Sequence, residues 1–414
     1  MKKIISLCTV ERAILMMMCV FIYIFNYQTD GMGSSITNAI IICFIALEII
    51  FIIKKNNFQK NQEIISLAGF VIICFFSCLY SYNFKDSLIK VKTLVILFLL
   101  VLCIFNFLKR DKKNIIFFLK SIAISGVLSS IYLITMSDWK SGVRIDNILG
   151  DSNQVAAYIA YSFTVLLYLM KTKNVSSTYG IIGMMLMFVA NVLSGSRSAL
   201  IVTFLAGIVY LLMGMKREKN KFLKILVIAI IAVVILYGVY YLIMNNEVLY
   251  NIIGRRYVSF FEIMNGKSSS INETSTQTRT YLIELAWKKF TNNFFTIIFG
   301  NGIGFFASYW VSVGGRYAFC HNNYLELLSG VGIIGTICFY YVYLKTLFFN
   351  IHKYREDKSQ SSILCITLLI EILLMHWFVV FYYQKCEMLF LAIFIYFNSL
   401  KNKGEKNEFK TETY

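Results

Sequence analysis

Apolar runs long enough to cross a bilayer recur from one end of this chain to the other, at 10–26, 36–53, 63–80, 91–108, 115–136, 153–170, 178–193, 198–214, 222–244, 323–348, 361–383 and 386–400. A helix needs roughly 17–25 mostly apolar residues to span the hydrocarbon core, and its backbone must satisfy its own hydrogen bonds there. The pattern predicts an all-α fold, a polytopic transmembrane bundle of about 12 helices. Composition agrees: 58% of residues are hydrophobic and 15% charged, with mean hydropathy +0.67, whereas a soluble chain is nearer half apolar and a quarter charged. Proline is absent from all 414 residues, so breaks and kinks fall to Gly, Ser and Asn.

The net charge of +18 comes from 40 Lys and Arg against 22 Asp and Glu. These cations form short clusters between apolar spans rather than a basic domain, which excludes a nucleic-acid partner. Lys54, Lys55 and Lys60; Lys109, Arg110, Lys112 and Lys113; Lys171 and Lys173; Lys216, Arg217, Lys219 and Lys221; Lys353, Arg355 and Lys358; and Lys401 to Lys410 fall on alternate loops and the tail. By the positive-inside rule that side is the cytoplasm, with both termini inside. The first span, with its Lys-Lys start and no small-residue cleavage site, reads as an uncleaved helix.

The chain then divides into nine spans over 1–244, an extracytoplasmic loop over 245–322, three spans over 323–400 and a cytoplasmic tail over 401–414. The other outer loops are short, whereas 245–322 far exceeds an ordinary connection and reads as functional. Within it, Thr280 to Asn292 is expected to form an amphipathic helix, with Ile283, Ala286, Trp287 and Phe290 on one stripe, lying at the outer interface. The run 268–276 reads as a flexible polar tip, and the tail as disordered.

Ten scattered Cys and three separated His (321, 352, 376) show no metal-type spacing, and no cofactor is implied. The informative charges are those that break the charge rule: Arg144, Arg197, Arg255, Arg256, Arg279 and Arg316, all on the outer side. Guanidinium groups match phosphate oxygens bidentately, and several around one mouth would neutralise a diphosphate; the plain alternative is pairing with nearby Asp and Glu. Arg197 sits in Ser-Gly-Ser-Arg-Ser between two short spans, where an unpaired charge is costly. Arg144 opens a segment in which Asp151, Ser152 and Asn153 are positioned to cap the next helix. His321, at the re-entry of the long loop into the membrane, is the candidate general base. Asn322 and Glu326 share one helix face and are candidates to orient it or to bind sugar hydroxyls. Gly330, Gly332 and Gly335 read as close packing sites, and Glu48, Glu371 and His376 as buried hydrogen-bonding groups, the last two alternatively as a proton path.

Four segments, Leu193-Ser-Gly-Ser-Arg-Ser-Ala-Leu200, Thr278-Arg-Thr followed by Trp287, Phe299-Gly-Asn-Gly-Ile-Gly-Phe305 and His321-Asn322…Gly332…Gly335, follow one another in order. Together they resemble the O-antigen polymerase and O-antigen ligase superfamily over roughly 140–335. One departure is Ser152-Asn153, where the family often has Pro-Asn. The resemblance implies transfer of a glycan from undecaprenyl diphosphate at the outer face of a bacterial plasma membrane. By that resemblance His321 is the base, Arg279 and Arg197 act on the diphosphate, and Arg144, Arg255, Asn322, Glu326 and Asn153 contact substrate. The implied partners are the lipid-linked oligosaccharide, membrane lipid, a flippase and a chain-length regulator. A polymerase of repeat units for O-antigen or capsule is the first reading. A ligase acting on lipid A core is the second, and a secondary transporter, which would favour midplane sites and repeat symmetry, is the third.

Overall fold

The computed structural model describes residues 2–25, 32–55, 61–141, 151–215, 221–255, 257–258 and 274–400. Arg144, Arg256, most of the 268–276 tip and the 401–414 tail lie outside them. Each of the twelve expected spans is a helix: α1 (Lys2–Phe25), α2 (Met32–Lys55), α3 (Gln62–Ser77), α4 (Phe84–Arg110), α5 (Lys112–Met136), α6 (Ser152–Lys171), α7 (Ser177–Leu193), α8 (Arg197–Gly214) and α9 (Lys221–Asn245), then, after the loop, α13 (Asn323–Asp357), α14 (Gln360–His376) and α15 (Lys385–Asn398). Among the described residues the loop carries helices α10 (Thr274–Phe290), α11 (Phe294–Phe299) and α12 (Phe305–Ser312), after short helical turns at Glu247–Leu249 and Tyr250–Gly254. Among the described residues, seven helices are long and apolar enough to cross a membrane. The chain is a multi-pass, all-α membrane protein.

Two helices explain how the rest are arranged. Helix α6 is buried along most of its length, and α15 is buried from Cys386 to Asn398. A helix that is apolar all round belongs inside a bundle rather than against lipid. Accordingly α15 packs against α4 and α13, while α6 packs against α5, α7, α8 and α14. Neighbours that face lipid, such as α2 and α3, keep exposed Ile and Phe on their outer sides.

At one end, charges close the bundle. Arg110, at the C-terminus of α4, is ion-paired with Glu11 and Glu48, and Arg12 reaches Asp111 at 3.2 Å. Deeper in the bundle, Glu371 accepts from Thr164 (2.9 Å), and the His376 ring lies between Tyr340 (3.0 Å) and Glu387 (3.1 Å). The buried acids and the histidine thus each have a specific hydrogen-bonding or ionic partner.

The opposite end depends on a break in α13. Gly332 has φ +65° and ψ −170°, which interrupts the helix within its span. A break inside a membrane helix frees carbonyls that must find other donors. Here Asn301 N–H donates to the Ser329 carbonyl at 2.9 Å and Gly302 N–H to the Gly330 carbonyl at 2.8 Å. The glycine-rich run 299–304 is therefore a backbone clamp. Its other side is held by α3 and α4, because Ile303 N–H donates to Ser77 Oγ (3.0 Å) and Ser87 Oγ–H to the Ile303 carbonyl (2.6 Å). Approach is so close that a Cβ on Gly300 would lie 2.3 Å from the Gly330 oxygen, and one on Gly332 2.2 Å from the Ile298 oxygen. The expectation of close packing is met at Gly332 by the end of helix α11 and at Gly330 by the glycine-rich run that follows it.

Gly332→Ala should lower thermal stability in detergent sharply, because left-handed strain of about 1 kcal/mol is joined by an overlap of about 1–3 kcal/mol or more with fixed backbone. Gly314→Ala is the control. It has φ +89° but nothing within 4 Å, so only the strain should appear. Equal melting temperatures for the two variants would count against the clamp.

A candidate catalytic centre around His321

His321 occupies a left-handed turn, with φ +57°. Such a backbone is uncommon outside glycine and must be held by its surroundings. On one side Cys320 N–H donates to Glu326 Oε2 at 3.0 Å. On the other, Asn322 caps α13, accepting from Leu325 N–H at 3.0 Å, and donates to the Trp377 carbonyl at 3.3 Å. Asn323 then ties the start of α13 to the turn after α14, accepting from Phe381 N–H (2.8 Å) and Tyr382 N–H (3.0 Å). Asn322 and Glu326 thus fix the backbone on both sides of the imidazole. Burial pushes the Cys320 thiol well up, and the Glu326 carboxylate adds to that, so this cysteine is a neutral packing group rather than a nucleophile.

The His321 ring is mostly buried, and its pKa is lowered to about 4, first by desolvation and then by the Arg279 guanidinium, against an opposing pull from Asp151. Both effects favour the neutral ring, which has a free lone pair at neutral pH. Arg279 comes from α10, whose buried face is Leu282, Ala286 and Phe290, the first two packed with Phe305, Phe306 and Cys320. That face is rotated from the expected stripe: Ala286 and Phe290 are on it, whereas Ile283 is half-buried and Trp287 is exposed. The reason is a cavity of about 530 Å³ between α10, α13 and α14, which Ile283, Trp287, Tyr324, Leu328 and Trp377 line together with Asn322. Its walls are apolar, with Glu284 and Lys288 at its margin.

Asp151 also acts on the ring, with the opposite sign. It caps α6, accepting from the Asn153 backbone at 2.9 Å and from the Asn153 side chain at 3.0 Å. The Asn153 side-chain oxygen in turn accepts from Ser196 Oγ–H at 3.0 Å, and Ser196 caps α8, of which Arg197 is the first residue. A hydrogen-bonded chain therefore runs from beside His321 to the loop that carries Arg197. The Arg197 charge itself acts on Tyr257, whose phenol burial pushes up and the guanidinium pulls back. Arg255 is exposed just after a π-helical turn, Tyr250–Gly254, that packs on α9 and α7. Of the expected arginines among the described residues, Arg279 is the one whose charge acts on His321.

Lys90 is a cation near this turn that sequence reasoning did not single out. It lies half-buried in α4, with its ammonium over the rings of Tyr383 (3.7 Å) and Phe319 (4.5 Å), within electrostatic reach of Glu326 and Asp86. It balances the carboxylate that holds Cys320. The only sequence signal was a cation just outside the outer end of an apolar span.

Residues 182–340 match the family model described as O-Antigen ligase. The match supports the O-antigen polymerase and ligase superfamily, an enzymatic glycosyl-transfer family. It includes Arg197, Arg279, the clamp and His321, while α1 to α6 lie before it. No curated protein matches the chain.

His321 should titrate near pH 4 by histidine NMR in nanodiscs, with His352 and His376 replaced to leave one signal. Arg279→Gln removes a repelling charge and should move the midpoint up toward 6.5, whereas Asp151→Asn removes an attracting one and should move it further down. A midpoint near 6.5 in the unaltered protein would contradict the burial and charge described.

Proposed function

We propose that the chain is an extracytoplasmic glycosyltransferase that polymerises undecaprenyl-diphosphate-linked oligosaccharide repeat units into O-antigen or capsular polysaccharide. The observation that carries this reading is the neutral His321 ring, held in a left-handed turn between the charges of Arg279 and Asp151. The reaction needs a proton acceptor and a cation on the leaving group. An acceptor hydroxyl attacks the anomeric carbon of the donor sugar. The bond from that carbon to the diphosphate oxygen breaks, and its electron pair leaves with undecaprenyl diphosphate. His321 takes the hydroxyl proton as the new bond forms, and Arg279 holds the charge that develops on the diphosphate.

In this reading the apolar cavity between α10, α13 and α14 receives the donor's polyprenyl chain, beside the helix that carries Arg279. Arg197 is assigned to the same diphosphate, with Asn153 and Ser196 setting its loop. Arg144 and Arg255 are assigned to glycan or diphosphate farther out. Asn322 and Glu326 act through the His321 backbone.

Substrate binding would also change the base. A bound diphosphate neutralises Arg279 and adds negative charge near the ring, which raises the His321 pKa. The acid limb of kcat, set in the complex, should therefore lie at higher pH than that of kcat/KM, set in the free enzyme near pH 4. Coincident limbs would contradict the role given to Arg279.

A ligase reading stays open on one observation, the description of the matched family. Surface and lipid-linked glycan sizes in a deletion strain separate the two. Single repeat units in place of long chains identify the polymerase, and His321→Ala should fail to restore length, with activity down by about 10²–10⁴-fold. Long chains held on the lipid carrier would identify the ligase. Unchanged glycan would overturn both.

A further inference from the structure

A second cavity, of about 760 Å³, lies on the Asp151 side of His321, opening between α2, α4 and the start of α15. It is amphiphilic. Ile41, Ile96 and Leu97 form an apolar wall, and its polar end carries Lys92, Gln154 and Lys385, with Lys90 and Asp151 beside them. Lys90 is accounted for by Glu326, Asp86 and two aromatic rings. Lys92 and Lys385 are not: among the described residues neither has an ion-pair partner. Lys385 is half-buried at the first turn of α15, where the helix dipole opposes a cation. Two unpaired ammonium groups above an apolar wall match an amphiphile with a multiply charged anionic head.

We propose that this cavity holds the second, uncleaved lipid carrier, with the acceptor's isoprenoid chain along Ile41, Ile96 and Leu97 and its diphosphate on Lys92 and Lys385. This rests on the polymerase reading, in which two lipid-linked substrates must meet at one base. Two separate cavities reach residues beside, or acting on, one histidine. Asn322, next to His321, lines the first, and Asp151, whose charge acts on His321, lines the second.

The test is the number of undecaprenyl diphosphate molecules bound per full-length chain, by native mass spectrometry from phosphatidylcholine nanodiscs. The unaltered protein should bind two. Lys92→Gln with Lys385→Gln should keep the Arg279-dependent molecule and weaken the other by about tenfold or more. Lys92→Arg with Lys385→Arg should keep both and report on folding. Arg279→Gln should weaken the first molecule and spare the second. Two molecules bound equally tightly by the glutamine pair would overturn the proposal, as would loss of both. Displacement of the second molecule by equimolar phosphatidylglycerol would also overturn it, because the cavity would then be a general anionic-lipid site. A single, Arg279-dependent molecule in the unaltered protein would overturn the second site and leave the polymerase reading standing. No molecule bound at all would overturn both.

Discussion

The break in α13 at Gly332, and the two backbone hydrogen bonds that close it, govern the arrangement of the end of the bundle that carries the long loop. A continuous helix would leave no free carbonyls at Ser329 and Gly330. The broken one offers them to Asn301 and Gly302, and so anchors the long loop to the membrane domain. The first turns of α13, set by that break, carry the Asn322 cap, the Asn323 tie to the turn after α14 and the Glu326 contact to Cys320. Together these hold His321 in a conformation that few residues adopt freely. Removing either side of the clamp would loosen the loop and the imidazole together.

Electrostatics then divides labour across the ring. The Arg279 charge disfavours a proton on His321, and the Asp151 charge favours one. A base kept neutral by burial would be weak on its own, and in the proposed reaction a departing diphosphate beside Arg279 is the species that would strengthen it. Lys90 is balanced by the charges of Glu326 and Asp86, whereas among the described residues Lys92 and Lys385 have no ion-pair partner. The contrast separates cations that maintain the structure from those available to a ligand.

Much of this was legible in the residues. All twelve apolar spans are helices, because length and hydropathy alone decide what can cross a bilayer. The loop helix was visible from its periodicity, but its core face was misplaced because Trp287 serves a cavity rather than the core, and periodicity does not distinguish the two. The glycines of 299–304 and 330–335 were recognisable as a pair of motifs; their mutual contact depends on tertiary approach across a loop and was not. Asn322 and Glu326 read as residues that orient His321 or bind sugar hydroxyls, and their hydrogen bonds go to the backbone around it. Asp151 read as a helix cap, which it is, and its second effect on His321 depends on how α6 packs. Lys90, Lys92 and Lys385 sit within or at the edge of apolar spans, where a cation is easily taken for an interfacial anchor.

The most direct measurement is a single-turnover reaction of the purified chain with radiolabelled lipid-linked repeat units in proteoliposomes, counting glycosidic bonds formed and undecaprenyl diphosphate released. One carrier released per bond, with the doubled glycan still on its own carrier and neither product formed by His321→Ala, is the predicted result. Turnover by His321→Ala at the unaltered rate, or bond formation without carrier release, would contradict the assignment of His321 as the base of a lipid-linked glycan polymerase.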